Sequence, residues 1–181
     1  MLYYIYVDNS NVWIEGQRVS AVAKGMAPDI YGAMNRGIVD QSWRIDYGSL
    51  YTFVCGQDIT KVGRVSLWGS IPPSDSFWKM VEDNGFEVIK FDRSPSGKEK
   101  KVDTGIVHCL TKDAYTCIDK EASEITLVAG DKDYVPAVED LVAQGFRVVV
   151  YFWGQVAQEL RDVASDYVCL DPYLGLLTKK P

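Results

Sequence analysis

The chain has one histidine, His108, and four cysteines, Cys55, Cys109, Cys117 and Cys169, none of them in a CxxC pair. That inventory offers neither a Cys/His zinc site nor a thiolate–imidazole nucleophile. The thiols read as reduced and mostly buried, as in a cytoplasmic protein. Basic residues are outnumbered, 19 Lys and Arg against 25 Asp and Glu, giving a formal net charge of −6. A chain of that sign argues against a general nucleic-acid coat. No apolar run is long enough to span a membrane, and Met1–Ile5 is too short and uncharged for a signal peptide. There is no G-x-S-x-G elbow and no G-x-x-x-x-G-K-[ST] phosphate loop, which removes two common hydrolase devices.

What is present is a globular pattern. The 181 residues are 47% hydrophobic, enough for one domain, 1–181, with a full core. The stretch Ile125–Phe152 sets the architecture. A short apolar run, Ile125–Ala129, stops at Gly130-Asp131-Lys132-Asp133. Val135, Val138, Leu141 and Val142 then recur at helical spacing, and Arg147–Phe152 reads as a second buried strand. Strand, turn, helix and strand in that order form the repeating unit of a parallel α/β sheet.

The same grammar runs through the rest. Leu2–Val7 predicts a strand ending at Asp8-Asn9-Ser10-Asn11, with Ser10 or Asn11 as helix cap. Further strands are expected at Val62–Trp68, Glu87–Phe91 and Tyr167–Leu170. Helices are expected over Ile45–Val54, after Ser74, over Val102 to about Ala122 and over Val156–Val163. A long irregular insertion at about 24–45, broken by Gly25, Pro28, Gly32 and Gly37, reads equally as a substrate-contacting flap or a solvated excursion. His108 and Asp113 read as helix-surface residues, Trp13, Trp43, Trp68 and Trp153 as core, and the tail to Pro181 as peripheral.

Three places put acids at corresponding points of such a sheet: Asp8 after the first strand, Asp103 opening a helix, and Asp131 with Asp133 after a later strand. If the first and fourth strands are central neighbours, these groups meet where the strand order reverses. Four carboxylates so close would repel one another and raise each other's pKa values, which a cation relieves. Oxygen-only ligands select a hard ion, Mg2+ or Mn2+. A metal held this way binds a phosphodiester, activates water and stabilises the leaving oxygen. Asn11, three residues after Asp8, is a candidate ligand or substrate contact. Arg93, Lys98, Lys100 and Lys101 in the loop 92–101 are candidate phosphate contacts. Each acid also has a plain structural role: Asp8, Asp131 and Asp133 as helix caps, Asp103 as a favourable charge in a first turn.

These residues carry a resemblance. Asp8-Asn9-Ser10-Asn11 after a strand, Lys101-Val102-Asp103 opening a helix, and Ala129-Gly130-Asp131-Lys132-Asp133-Tyr134 after a strand resemble the NYN domain. That domain is the LabA-like branch of the PIN-like nuclease superfamily, and the resemblance extends over roughly Tyr3–Leu170. It implies a three-layer PIN-like (Rossmann-like) fold with a mainly parallel central sheet and a Mg2+- or Mn2+-dependent ribonuclease site. Carried over by position, Asp8, Asp103, Asp131 and Asp133 match the family's acids, and Asn11 matches its polar residue after the first Asp. RNA is the expected substrate. Two rival readings stay open: a catalytically weak module of the same fold that binds RNA or a protein partner, for which the acidic surface is suited, and a small-molecule phosphohydrolase.

Overall fold

The structure, a computed structural model, describes residues 1–70, 73–92 and 102–180. Six strands form one sheet: β1 (Leu2–Asp8), β2 (Val62–Ser70), β3 (Glu87–Phe91), β4 (Ser123–Val128), β5 (Val148–Phe152) and β6 (Asp166–Cys169). Every pairing is parallel and the order is β3-β2-β1-β4-β5-β6. With helices on both faces this is the expected three-layer α/β fold. The central strands are apolar because both of their faces are covered. All six residues of β4 are buried, as are Ile5–Asp8 of β1.

β1 and β4 are neighbours, in register from Leu2↔Ser123 to Val7↔Val128. The chain leaves them in opposite lateral directions, so their carboxyl ends flank the point where the strand order reverses. After β4 the backbone passes close under β5. A side chain at Gly130 would put its Cβ 2.0 Å from Phe152 Cδ1, so only glycine fits there.

The first helix, α1 (Asn9–Ala23), starts directly at the end of β1. Asp8 itself is its cap, accepting the Asn11 N–H at Oδ1 (3.1 Å), rather than Ser10 or Asn11. The long helix α5 (Val102–Thr116) lies on β1 and β2 and buries Val102, Ile106, Leu110 and Ala114, a stripe at helical spacing. It stops at Thr116, short of the Ala122 expected from sequence. Tyr6 and Asp8 alternate to the face that α5 covers. The other helices of this face are α6 (Val135–Ala143) and α7 (Gln158–Val163), while α1, α3 (Tyr47–Cys55) and α4 (Asp75–Asp83) cover the opposite one. No helix among the described residues is long and apolar enough to cross a membrane.

Four expectations are corrected. The 24–45 segment is not irregular throughout: it contains α2 (Ile30–Arg36), capped by Asp29 and closed by Gly37 at φ 64°. Buried Asp40 then ties it to α1, accepting from the Ser20 hydroxyl (2.6 Å) and pairing with Lys24 (2.6 Å). Trp43 packs edge-on to Trp153, above Gly16. The tail is not peripheral either. Asp46 N–H donates to the Leu177 carbonyl, Lys179 N–H to that of Arg44, and Leu177 in α8 (Leu174–Leu177) is buried. Asp113 is largely buried and paired with Arg64 (2.7 Å) rather than solvated. Of the cysteines only Cys55 is buried, while Cys117 is exposed.

Candidate active site

A cleft of about 300 Å³ opens at the carboxyl ends of β1 and β4, lined by Asp8, Asn11, Ile14, Glu15, Asp103 and Asp131, with Ser10 at its edge. The three aspartates arrive by separate routes. Asp8 ends β1, Asp103 is the second residue of α5, and Asp131 opens the single 3-10 turn (Lys132–Tyr134) that follows β4. Asp131 caps nothing: no backbone N–H donates to its side chain as a helix cap. The plain structural role considered for it is therefore absent. Among the described residues, none of the side chains lining the cleft is a cation.

Asn11 joins the two strand ends. Its Nδ2 donates to Asp131 Oδ2 (2.9 Å), and its Oδ1 accepts the Gly130 N–H (2.7 Å). Tyr134 joins the other pair. Its hydroxyl lies 2.9 Å from Asp8 Oδ2 and 3.3 Å from Asp103 Oδ1, and the ring is fully buried.

The electrostatics are unfavourable without a counter-ion. Burial pushes the Asp8 carboxyl up, and adjacent Asp103 pushes the same way, while the Asn11 N–H and the Tyr134 hydroxyl oppose them. Asp131 is also raised, first by burial and then by Asp103, Glu15 and Asp133, against the Asn11 amide. Burial and the flanking carboxylates hold the Tyr134 hydroxyl protonated, well above the ordinary tyrosine value. It therefore acts here as a donor.

The donor set is all oxygen and suits a hard divalent cation. It is not a ready-made cage. Among the described residues, no three carboxylate, imidazole or thiol side chains converge closely enough to hold an ion as they stand. Protein donors occupy both Asp8 oxygens and Asp131 Oδ2. A carboxylate oxygen has a second lone pair to offer, so the acids can still serve as ligands by turning inward.

The other expected site residues are placed differently. Asp133 is exposed on the 3-10 turn and does not line the cleft, reaching it only through its charge on Asp131. Arg93, Lys98, Lys100 and Lys101 lie outside the described residues. His108 is exposed on α5, away from the acids. Two residues join the site that spacing had not singled out. Glu15 sits four residues after Asn11 and seven after Asp8, one face of α1, and is held by Arg18 and by Gln155 Nε2 (3.0 Å). That i, i+3, i+7 spacing was a usable signal. Tyr134 had no comparable one, because its role depends on where the turn after β4 delivers its hydroxyl.

The NYN domain family matches residues 9–171. The chain belongs to the NYN domain family. That family lies within the PIN-like nuclease superfamily, whose NYN members generally depend on divalent metals and act on RNA. No curated protein matches the chain. Among solved structures it is similar to VPA0982, a protein of unknown function from Vibrio parahaemolyticus RIMD 2210633. The two share 20% sequence identity and a TM-score of 0.64, over 98% of this chain and 95% of the other. At that identity the likeness concerns the fold alone. The NYN match covers Asn11 on α1, Asp103 at the start of α5 and Asp131 after β4, and begins one residue past Asp8.

Proposed function

We propose that this NYN domain is a divalent-metal-dependent ribonuclease acting at the cleft between the ends of β1 and β4. The observation that carries the reading is the meeting of Asp8, Asp103 and Asp131 in a cleft that no cation among the described residues lines, where Asp131 serves no cap. Acids at this place weaken the fold unless a positive ligand compensates them. Asp8, Asp103 and Asp131 would hold Mg2+ or Mn2+, which supplies Lewis acidity toward a phosphodiester and a water of lowered pKa. Asn11 fixes the Asp131 carboxylate against the β4 end. Tyr134 orients Asp8 and Asp103. Glu15, with one oxygen held by Arg18 and the other by Gln155, orients water at the cleft mouth. Exposed Asp133 adds negative potential that draws a cation in.

Cleavage of a labelled single-stranded RNA, measured with Mn2+, with Mg2+ and with EDTA, tests this. Cleavage is expected to need the metal and to fall by at least about a hundredfold in Asp131→Asn, with the thermal melt retained. Equal cleavage by both proteins would sink the assignment.

A further inference from the structure

On the other side of the first turns of α1 lies a second pocket at the same edge of the sheet, about 370 Å³ in volume. Its walls are aromatic and apolar: Trp13 of α1, Tyr47 of α3, and Phe77 with Met80 of α4. Tyr47 and Phe77 stand edge to face with centroids 5.5 Å apart. The Tyr47 hydroxyl is already partnered, donating to Oδ1 of Asn9 (2.6 Å), another lining residue, so the ring is the surface it offers. The half-buried Trp13 indole N–H makes no hydrogen bond among the described residues.

Two cations stand at the mouth, Arg44 and Lys179. An antiparallel bridge between Ile45 and Thr178, with Lys179 N–H donating to the Arg44 carbonyl (2.9 Å), fixes their backbones side by side. Both side chains are exposed, and neither forms an ion pair among the described residues. Arg18, Arg64 and Arg147 each pair with a carboxylate, whereas Arg44 Nη1 donates to the Gln41 and Trp43 carbonyls. In a chain of net charge −6, two adjacent cations without a carboxylate among the described residues, beside an aromatic pocket, favour an anionic, flat ligand.

The position of the pocket narrows that class. On α1, Asn9 and Trp13 face this pocket, Ser10 and Ile14 form the next ridge and border the acid cleft, and Asn11 and Glu15 face that cleft, the order that helical geometry imposes. The two depressions are therefore separated by one side-chain ridge of a helix about 10 Å across. A strand held by one can enter the other.

We propose that the Trp13–Tyr47–Phe77 pocket binds a nucleotide of single-stranded RNA, its base against the aromatic walls and its phosphate at Arg44 and Lys179. Stacking of bases on aromatic side chains is sequence-tolerant, because every base offers a π face. The pocket holds one base next to the scissile phosphate and sets the register of the strand over the acids. That the occupant belongs to an RNA strand rests on the ribonuclease reading, whereas a pocket for a base and a phosphate does not.

The test separates the two. In the Asp131→Asn protein with Mg2+, binding of a labelled hexaribonucleotide is measured by anisotropy, with and without Arg44→Ala/Lys179→Ala and, separately, Trp13→Ala and Trp13→Phe. In parallel, 5′-AMP, with one base and one phosphate but no diester, is titrated calorimetrically into the same proteins. The double substitution is expected to weaken RNA about tenfold or more and to reduce the salt slope by about two. Trp13→Ala is expected to weaken both probes about tenfold, and Trp13→Phe to recover most of that. The exposed Arg44 and Lys179 positions keep the test valid if Trp13→Ala does not fold. Unchanged RNA affinity and salt slope in the folded double variant would overturn the inference and leave the ribonuclease reading standing. Continued cleavage by Asp131→Asn would overturn that reading instead, and the 5′-AMP titration alone would then decide the pocket.

Discussion

Tyr6 and Asp8 leave β1 toward the same face, and Asp113 and Asp103 lie on the α5 helix above them. At the lower end Asp113 accepts from the Tyr6 hydroxyl (2.7 Å) and from Arg64 (2.7 Å), whose guanidinium also grips Glu87 through two bonds of 2.8 Å. Burial alone would raise the Asp113 carboxyl, but Tyr6 and Arg64 hold it below the usual value. At the upper end Asp103 meets Asp8, and among the described residues no guanidinium or ammonium lines the cleft. One helix and one strand thus carry an acid in a stabilising network and an acid in a destabilising one, about ten residues apart. The difference locates function: a fold keeps an uncompensated buried carboxylate where a ligand supplies the missing charge.

The comparison breaks most visibly with pH in metal-free protein. Asp8 is raised from 3.8 to about 7, so between those values the native state binds more protons than the unfolded one. Stability then falls as pH rises through that window, on the order of 4 kcal/mol in the limit of one isolated group. Asp113 has the opposite sign: its contribution is present above the ordinary carboxylate value and is lost only on further acidification. Thermal melts in EDTA from pH 4 to 8 should show the decline, Asp8→Asn should flatten it, and Mg2+ should raise Tm more at pH 8 than at pH 5. A flat wild-type profile, or a slope untouched by Asp8→Asn, would remove Asp8 as its source.

The opposite end gives the next effect in size. Asp113→Ala leaves the Tyr6 hydroxyl, on a fully buried residue, without its acceptor, and leaves Arg64 with Glu87 as its one carboxylate among the described residues. A loss of about 2–3 kcal/mol is expected, seen as a lower denaturant midpoint at constant m-value. Cleavage per folded molecule at low temperature should be unchanged. A variant that loses cleavage while remaining folded would show that the two ends are coupled and that the division drawn between them is wrong.

How much of this was legible follows from the range of the interactions involved. The strands were readable because buried parallel strands are continuous apolar runs, and Asp8, Asp103 and Asp131 because they stand where such runs and helices change over. The placement of β1 beside β4 was only a condition in the sequence, and pairing between residues more than a hundred positions apart met it. Asp113 looked solvated because its partner Arg64 lies 49 residues away on another element. α2 was missed because its seven residues bury only Ala33, leaving no apolar stripe to detect. The tail was misread because backbone hydrogen bonds to Asp46 and Arg44 hold it, and such bonds leave no mark in side-chain pattern.

The smallest expected effect bears on the residue that links the acids. The Tyr134 hydroxyl has one proton and two carboxylate neighbours, Asp8 at 2.9 Å and Asp103 at 3.3 Å. It can satisfy one fully and must leave the other to a shared proton or a cation. Tyr134→Phe keeps the buried ring and removes only the oxygen, so stability should change by less than about 1 kcal/mol. The relief of the Asp8 charge disappears, and both carboxylates lose the group that sets their angle. Partners of metal ligands typically matter tenfold or more. The Mn2+ concentration giving half-maximal RNA cleavage should therefore rise about tenfold, with the rate at saturating metal less affected. An unchanged metal dependence would make Tyr134 a packing residue and leave Asp8 and Asp103 to find their geometry without it.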